Sequence, residues 1–190
     1  MAIAFGSNLG DRFANIESAL RLLESPGEFL DASDDVNQKD AEAAIIETSF
    51  LYETAPMYVT DQPNFVNGAC VVCLPLFLHE RWSLTTPLFQ VQTNLPPVTL
   101  LRVLKRIEAH IGRVPSFRNG PRAIDLDIIL YDDDIIDTRP PGSRNHLDNL
   151  ENQLVIPHPR ASEREFVLRP LNELVGDSLP FGIVPLMFLF

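Results

Sequence analysis

Apolar positions recur along this chain with two different periods, which predict helices and strands in alternation. The run MAIAF (1–5) is followed by a glycine-containing turn and by residues 11–25, where apolar side chains recur at helical spacing. Residues 96–113 begin with proline and repeat that spacing up to Gly112, which predicts a second amphipathic helix. Three more segments are β-like, namely 44–54, 64–72 and 123–132.

The resulting order, β-α-β-β-α-β, predicts an α+β fold. It is the ferredoxin-like arrangement, a sandwich of an antiparallel sheet with helices on one side, here with additional C-terminal segments. A length of 190 residues with 45% hydrophobic content favours one domain, which we place at residues 1–180. Residues 73–91 lack a clear period and read as an atypical insertion, and the apolar tail 181–190 has no assigned role.

The charge of the chain limits its partners. A formal net charge of -11 argues against affinity for nucleic acid or for an anionic membrane surface. Six acidic residues fall within residues 26–42, which we interpret as a solvated loop. No apolar run reaches the ~20 residues of a membrane span, so we expect a cytoplasmic protein, with a mitochondrial association left open. Cys70 and Cys73 form a single C-x-x-C without a second pair, and we expect free thiols rather than a zinc site.

The most informative stretch is RNGPRAIDLDIILYDD (118–133). Side chains alternate along a strand, so Asp125 and Asp127 project to the same side with Cα atoms about 7 Å apart. Paired carboxylates with phosphates nearby suit Mg²⁺, and two ions about 4 Å apart could share such a pair. The alternative is an amphipathic strand whose polar face is merely wet.

Basic residues beside this strand favour the first interpretation. Between Leu101 and Arg122 the chain carries one acidic residue and six basic ones, in contrast to its acidic average. Arginines on a Gly- and Pro-containing loop can reach phosphate oxygens, and a Mg²⁺-bound triphosphate would need both metal ligands and guanidinium groups. The helical members Arg102, Lys105 and Arg106 could instead form a solvated face, whereas Arg113, Arg118 and Arg122 lie on the loop.

Neither a P-loop nor a G-x-G-x-x-G motif occurs, so a nucleotide would be held by other means. GSNLG (6–10) reads as a tight turn. His158 lies in the proline-stiffened stretch IPHPR beside Arg160, although a lone histidine is more often structural.

Five blocks of the sequence together resemble one enzyme family. They are FGSNLGDR, YETAPMYVTDQPNFVNGA, LKRIEAHIGR, RNGPRAIDLDIILYDD and IPHPRASEREFVLRPL, in that order. They are similar to the signatures of 6-hydroxymethyl-7,8-dihydropterin pyrophosphokinase. The resemblance implies transfer of pyrophosphate from MgATP to the hydroxymethyl group of the pterin with release of AMP, in folate biosynthesis.

The resemblance also implies roles for individual residues. Asp125 and Asp127 match two Mg²⁺-binding aspartates, and together with Arg113, Arg118 and Arg122 they form the implied catalytic set. ATP would contact Lys105, Glu108, Arg113, Arg122, His158 and Arg164. The pterin would contact Thr54, Ala55, Met57, Phe65, Asn67 and Phe166, with two aromatic rings stacking on its bicycle and Asn67 binding its amide-like edge.

Some features depart from the family pattern. Residues 73–91 have no counterpart, so they are either a tolerated loop or intervening sequence retained in the gene model. Asn119 stands where some relatives carry an aromatic residue. Members of the family are often fused to dihydroneopterin aldolase or dihydropteroate synthase, so the chain could be a fragment of a longer polypeptide. Two other functions stay open: a palm-type, metal-dependent nucleotidyl transferase, and a catalytically inactive domain that binds a pterin or a nucleotide.

Overall fold

The computed structural model describes residues 1–73, 94–114, 116–144, 150 and 153–175. Apart from Cys73, the expected insertion lies outside these residues, and so does the tail 181–190. The fold is α+β, as predicted. Its strands are β1 (Ala2–Ser7), β2 (Ala44–Thr48), β3 (Tyr52–Thr54), β4 (Phe65–Cys73), β5 (Asp125–Leu130), β6 (Ile136–Asp137) and β7 (Val155–Ile156), and its helices are α1 (Arg12–Leu23), α2 (Pro97–His110) and α3 (Glu165–Val175).

The main sheet has the order β2-β4-β1-β5, with β3 also paired to β4, and all its neighbouring strands are antiparallel. The β-like segment 44–54 is two strands rather than one. Ser49 interrupts it, because its hydroxyl accepts the Ala69 N–H at 2.9 Å and donates to the Phe50 carbonyl at 2.8 Å. The strands β6 and β7 form a separate antiparallel pair.

One face of the sheet carries the larger core. Ile3 and Phe5 of β1 pack there with α1 and α2, whose side chains Leu23, Leu104 and Ile107 are almost fully buried. Asp11 caps α1 by accepting the Ala14 N–H at 3.1 Å, and Pro97 occupies the first turn of α2, as its sequence predicted.

The other face is covered by α3, so the expectation of helices on one side holds for α1 and α2 only. Along β1 this face presents Ala2 and Ala4, which pack in a smaller cluster with Ala69, Val167 and Leu171. Short side chains on the sheet allow α3 to lie close to it. The part of this face beyond the N-terminal end of α3 is left open, and that is where the cleft described below lies.

The acidic segment 26–42 is less solvated than its composition suggested. Arg106 donates to Asp34 and to Asp31, both at 2.6 Å, and Arg102 lies 2.9 Å from Asp34, whose side chain has no exposed area. Two of the three helical cations therefore bind this loop, which corrects the expectation of a solvated helix face. Among the described helices, none combines the length and the apolar character needed to cross a membrane.

Candidate active site

Strand β5 brings the two predicted carboxylates to one side of the sheet. Asp125 and Asp127 both line an open cleft, together with Arg122. Alternation along the strand is the cause, because Leu126 and Ile128 between and beyond them point into the core on the opposite face. The alternative, in which the polar face of this strand is only solvated and has no functional role, is therefore not supported.

Asp125 lies between two arginines of the loop that precedes β5. Its carboxylate accepts from Arg113 at 2.6 Å and from Arg122 at 3.0 Å. Burial alone would raise the pKa of Asp125, but Arg122, Lys105 and Arg113 outweigh it and hold that pKa well below its ordinary value. Asp125 is consequently ionised at neutral pH.

Lys105 and Glu108 support the outer edge of β5 and are not among the residues lining the cleft. Glu108 accepts the Leu126 N–H at 2.7 Å, while Lys105 donates to the Leu126 carbonyl at 3.1 Å and to Glu108 at 2.8 Å. Glu108 also pairs with Arg113 at 2.6 Å. Two side chains of α2 thus take the place of a neighbouring strand.

The surroundings of Lys105 and Glu108 shift the pKa of both side chains. Burial raises the pKa of Glu108 despite Lys105 and Arg113. Burial would lower the pKa of Lys105, but Glu108, Asp127 and Asp125 reverse this and raise it. Lys105 stays protonated and lies 3.9 Å from Asp127, so it is placed to balance the charge of the carboxylate pair.

The apolar wall of the cleft contains all six residues assigned to the pterin: Thr54, Ala55, Met57, Phe65, Asn67 and Phe166. Asn67 is 6% exposed, and its side-chain amide donates to the Thr54 hydroxyl at 2.7 Å. Gly6 forms the floor beside it, since a Cβ there would lie 2.5 Å from the Asn67 side-chain oxygen. A flat, partly polar ring fits such a slot.

His158 and Arg164 come from the segment between β7 and α3. Arg164 lines the cleft, and its Nε is buried without a hydrogen-bond partner among the described residues. Burial lowers the pKa of His158 more than Asp127 raises it, and Arg164 lowers it further. Nδ1 of His158 accepts the Arg160 N–H at 3.3 Å, so the neutral ring carries its proton on Nε2.

Arg118 does not join this group. It is exposed and is not among the residues that line the cleft. The structure therefore brings Arg113 and Arg122 to the carboxylates but leaves Arg118 outside, and the assignment of Arg118 stays a prediction.

Two residues that organise the site were not predicted from the sequence. Asn8 lies in the turn GSNLG, where Gly10 has a φ of 63°, and Gln62 lies in the loop between β3 and β4. Their side-chain amides join that loop to the Arg122 loop. Both residues stand within the five quoted blocks, but their partners are mostly backbone groups, which carry no sequence signal.

The carboxylate pair fits Mg²⁺. The described residues contain no group of three or more potential ligands from Asp, Glu, His and Cys. Mg²⁺ nevertheless is held in many proteins by one or two carboxylates, with water and substrate phosphates as the other ligands. Asp125 and Asp127 supply such hard oxygens within one cleft. Nε of Arg164, which lines the same cleft and has no hydrogen-bond partner in the described part of the chain, suits a phosphate oxygen.

Comparison with known proteins points the same way. Residues 2–86 and 87–176 match the family model described as 7,8-dihydro-6-hydroxymethylpterin-pyrophosphokinase. The chain is 33% identical over 172 residues to the 2-amino-4-hydroxy-6-hydroxymethyldihydropteridine pyrophosphokinase of Bacillus subtilis, covering 90% of this chain and 75% of that protein.

Two eukaryotic relatives are much longer than the chain. It is 35% identical over 185 residues to the folic acid synthesis protein fol1 of Schizosaccharomyces pombe, covering 97% of this chain but 19% of that protein. It is 36% identical over 179 residues to a mitochondrial folate synthesis bifunctional protein of Pisum sativum, covering 94% of this chain and 26% of that protein. The chain thus spans about a fifth to a quarter of these relatives.

Proposed function

Because the chain belongs to the 7,8-dihydro-6-hydroxymethylpterin-pyrophosphokinase family, we propose that it transfers pyrophosphate from MgATP to 6-hydroxymethyl-7,8-dihydropterin. The family membership confirms the resemblance carried by the five sequence blocks. One observation carries the proposal: a single cleft joins an apolar wall that contains Phe65 and Phe166 to Asp125, Asp127 and Arg122. A pterin and a polyphosphate could meet there.

The pterin would lie against the apolar wall. Phe65 and Phe166 offer aromatic surfaces, and Asn67 is held by Thr54 so that its remaining polar groups can bind the ring edge. In the strands beneath, Asn67 pairs with Gly6 in the antiparallel register of β4 and β1.

The triphosphate would lie toward β5. Asp125 and Asp127 would hold Mg²⁺, two ions in our proposal, and the metal would offset negative charge on the transferred phosphates. Arg122 and Arg164 line the cleft, and Arg113 lies within 2.6 Å of Asp125, so these guanidinium groups can neutralise further oxygens. His158 is not among the cleft-lining residues, and we propose it as a further phosphate contact through its Nε2–H.

In the reaction the pterin hydroxymethyl oxygen attacks the β-phosphorus of ATP. A bond forms between them, the bond from that phosphorus to the oxygen bridging to the α-phosphate breaks, and AMP leaves with the bridging oxygen. The hydroxyl proton is lost to solvent or to a carboxylate of the pair. The protein contributes mainly alignment and charge neutralisation, as in other phosphoryl-type transfers.

The decisive test is incubation with ATP, Mg²⁺ and 6-hydroxymethyl-7,8-dihydropterin, followed by chromatography. We expect free AMP and the pterin diphosphate. AMP joined to an acceptor would instead indicate the nucleotidyl transferase, and absence of turnover with retained ligand binding would indicate an inactive binding domain.

Variants locate the activity in the cleft. Asp127→Asn should lose about a hundredfold or more in kcat/KM, several kcal/mol of transition-state stabilisation, with little change in pterin affinity. Asp35→Asn is the matched control, because Asp35 is an exposed aspartate that is not among the cleft-lining residues. Near-normal turnover of Asp127→Asn would refute the metal assignment.

We further infer that the fold is ferredoxin-like. The sheet order β2-β4-β1-β5, the antiparallel pairing and the position of α1 and α2 on one face support this. We also propose that the chain acts beside, or fused to, a further folate-synthesis enzyme, which the greater length of the relatives and the word bifunctional in one of their names support. The sequence resemblance suggests dihydroneopterin aldolase or dihydropteroate synthase for that enzyme. A cytoplasmic or mitochondrial location stays a prediction.

A further inference from the structure

Two side-chain amides, that of buried Asn8 and that of half-buried Gln62, connect the walls of the cleft. Asn8 is 2% exposed, and its side-chain nitrogen donates to the Gln62 side-chain oxygen and to the Pro63 carbonyl, both at 3.0 Å. Gln62 in turn donates from its nitrogen to the Val59 carbonyl at 2.7 Å and to the Asn119 carbonyl at 2.9 Å. We call this pair the amide clamp.

The amide clamp holds the backbone of Arg122 directly. The Asn8 side-chain oxygen accepts the Arg122 N–H at 2.8 Å, and the Asn8 N–H donates to the Arg122 carbonyl at 3.1 Å. Both backbone groups of Arg122 are therefore bound by one residue of the turn after β1. Asn15 of α1 adds a bond of 3.1 Å to the next carbonyl, that of Ala123.

The amide clamp also holds the loop on the other side of the cleft. Residues 55–63 supply Ala55, Met57 and Gln62 to the wall, and Gln62 binds Val59 within this loop and Asn119 outside it. Asn119 has a φ of 56°, a left-handed conformation that asparagine adopts more readily than most other residues with a side chain, and its carbonyl accepts from Gln62.

We propose that Asn8 and Gln62 are positioning residues that lock the loop 55–63 to the Arg122 loop and thereby hold the Arg122 guanidinium against Asp125 for the transferred phosphates. The polar side-chain atoms of Gln62 have partners within the protein, although Gln62 lines the cleft. Its role is thus to fix the geometry of the loops. The changes in kcat and KM expected below rest on the proposed function.

The test compares Gln62→Ala with Gln38→Ala. Gln38 is an exposed glutamine that also donates one side-chain hydrogen bond to a backbone carbonyl, that of Leu30, so its variant loses similar chemistry away from the cleft. For Gln62→Ala we expect kcat to fall about tenfold to a hundredfold, because a small displacement of the Arg122 guanidinium would misalign the reacting groups. The KM for MgATP should be nearly unchanged. Gln38→Ala should keep the kcat of the parent protein.

Gln62→Glu provides a second variant of the same length. It keeps the oxygen that accepts from Asn8 but replaces the nitrogen that donates to Val59 and Asn119. It should therefore lower kcat at least as much as Gln62→Ala. A kcat near that of the parent protein in either Gln62 variant, or a loss matched by the unfolded fraction seen in thermal melting, would overturn the proposal.

Hydrogen exchange keeps this inference separate from the proposed function. In Gln62→Ala, peptides covering residues 117–123 should exchange faster than in the parent protein, whether or not the protein turns over the pterin. If the parent protein releases no AMP, the proposed function fails. Unchanged exchange in 117–123 would then overturn the amide clamp as well, and faster exchange would retain it.

Discussion

Replacing Glu108 by alanine tests how the edge of β5 is held. The Glu108 carboxylate is 3% exposed and binds three groups, the Leu126 N–H and the charged ends of Lys105 and Arg113. Its removal leaves a buried amide donor without its acceptor and two cations with one carboxylate fewer.

The expected magnitude follows from these contacts. Removing one partner of a buried ion pair costs about 3–5 kcal/mol, and an unsatisfied buried N–H contributes about 1–3 kcal/mol to losses of this kind. Lys105 and Arg113 are partly exposed and keep Asp127 and Asp125 as partners, which limits the damage. We therefore expect Glu108→Ala to lower the free energy of unfolding by about 3 kcal/mol.

Urea denaturation at neutral pH, followed by circular dichroism, measures this loss. Glu108→Gln should lose less than Glu108→Ala, because an amide oxygen can still accept the Leu126 N–H. Glu17→Ala is the control, since the exposed pair of Glu17 with Arg21 should be worth less than about 0.5 kcal/mol. If Glu108→Ala were no less stable than Glu17→Ala, the role of Glu108 at the strand edge would be refuted.

Three further outcomes can be measured. Leu104→Ala, at a fully buried site of α2, should lower the free energy of unfolding measured in urea by about 2–5 kcal/mol. A decrease below ~1 kcal/mol would mean that the core around Leu104 is loosely packed. Gly6→Ala should raise the KM for the pterin about tenfold or more, because the new methyl group would displace the side-chain oxygen of Asn67, 2.5 Å away. An unchanged KM would show that Gly6 and Asn67 are not part of the pterin site. The depressed pKa of Asp125 stabilises the folded state above the unfolded-state pKa of about 3.9, and this contribution is lost as the pH falls through the folded-state value. The difference in unfolding free energy between the parent protein and Asp125→Asn should therefore be largest at neutral pH and shrink in acid, whereas a constant difference would contradict the ion pairs.

Local periodicity was sufficient to find the carboxylate pair. Asp125 and Asp127 are two positions apart on a strand, so alternation alone places them on one face. The same reasoning could not separate the roles of the nearby cations. Arg106 binds Asp31 and Asp34, which are more than 70 residues away along the chain, and no spacing rule connects such positions.

The amide clamp escaped prediction for a different reason. Asn8 was part of a segment that was interpreted as a tight turn, and turn propensity accounts for an asparagine there. Its side chain accepts the Arg122 N–H only because the fold brings a loop that is distant in sequence next to it. Similarly, no spacing rule predicts that Lys105 and Glu108 bind the main chain of Leu126, and their assignment to ATP stays a prediction.

The two faces of strand β1 have different roles, because its side chains alternate between them. Ile3 and Phe5 point into the large core and stabilise the fold, whereas Ala4 and Gly6 shape the cleft on the opposite side. A larger residue at Ala4 would change the shape of the cleft, but it would also overpack the contact with Val167 and Leu171 and cost folding free energy. A smaller residue at Ile3 would mainly remove packing from the large core. Within this six-residue segment, thermal tolerance can therefore be altered at Ile3 alone, whereas a change of ligand preference at Ala4 is coupled to the packing of α3.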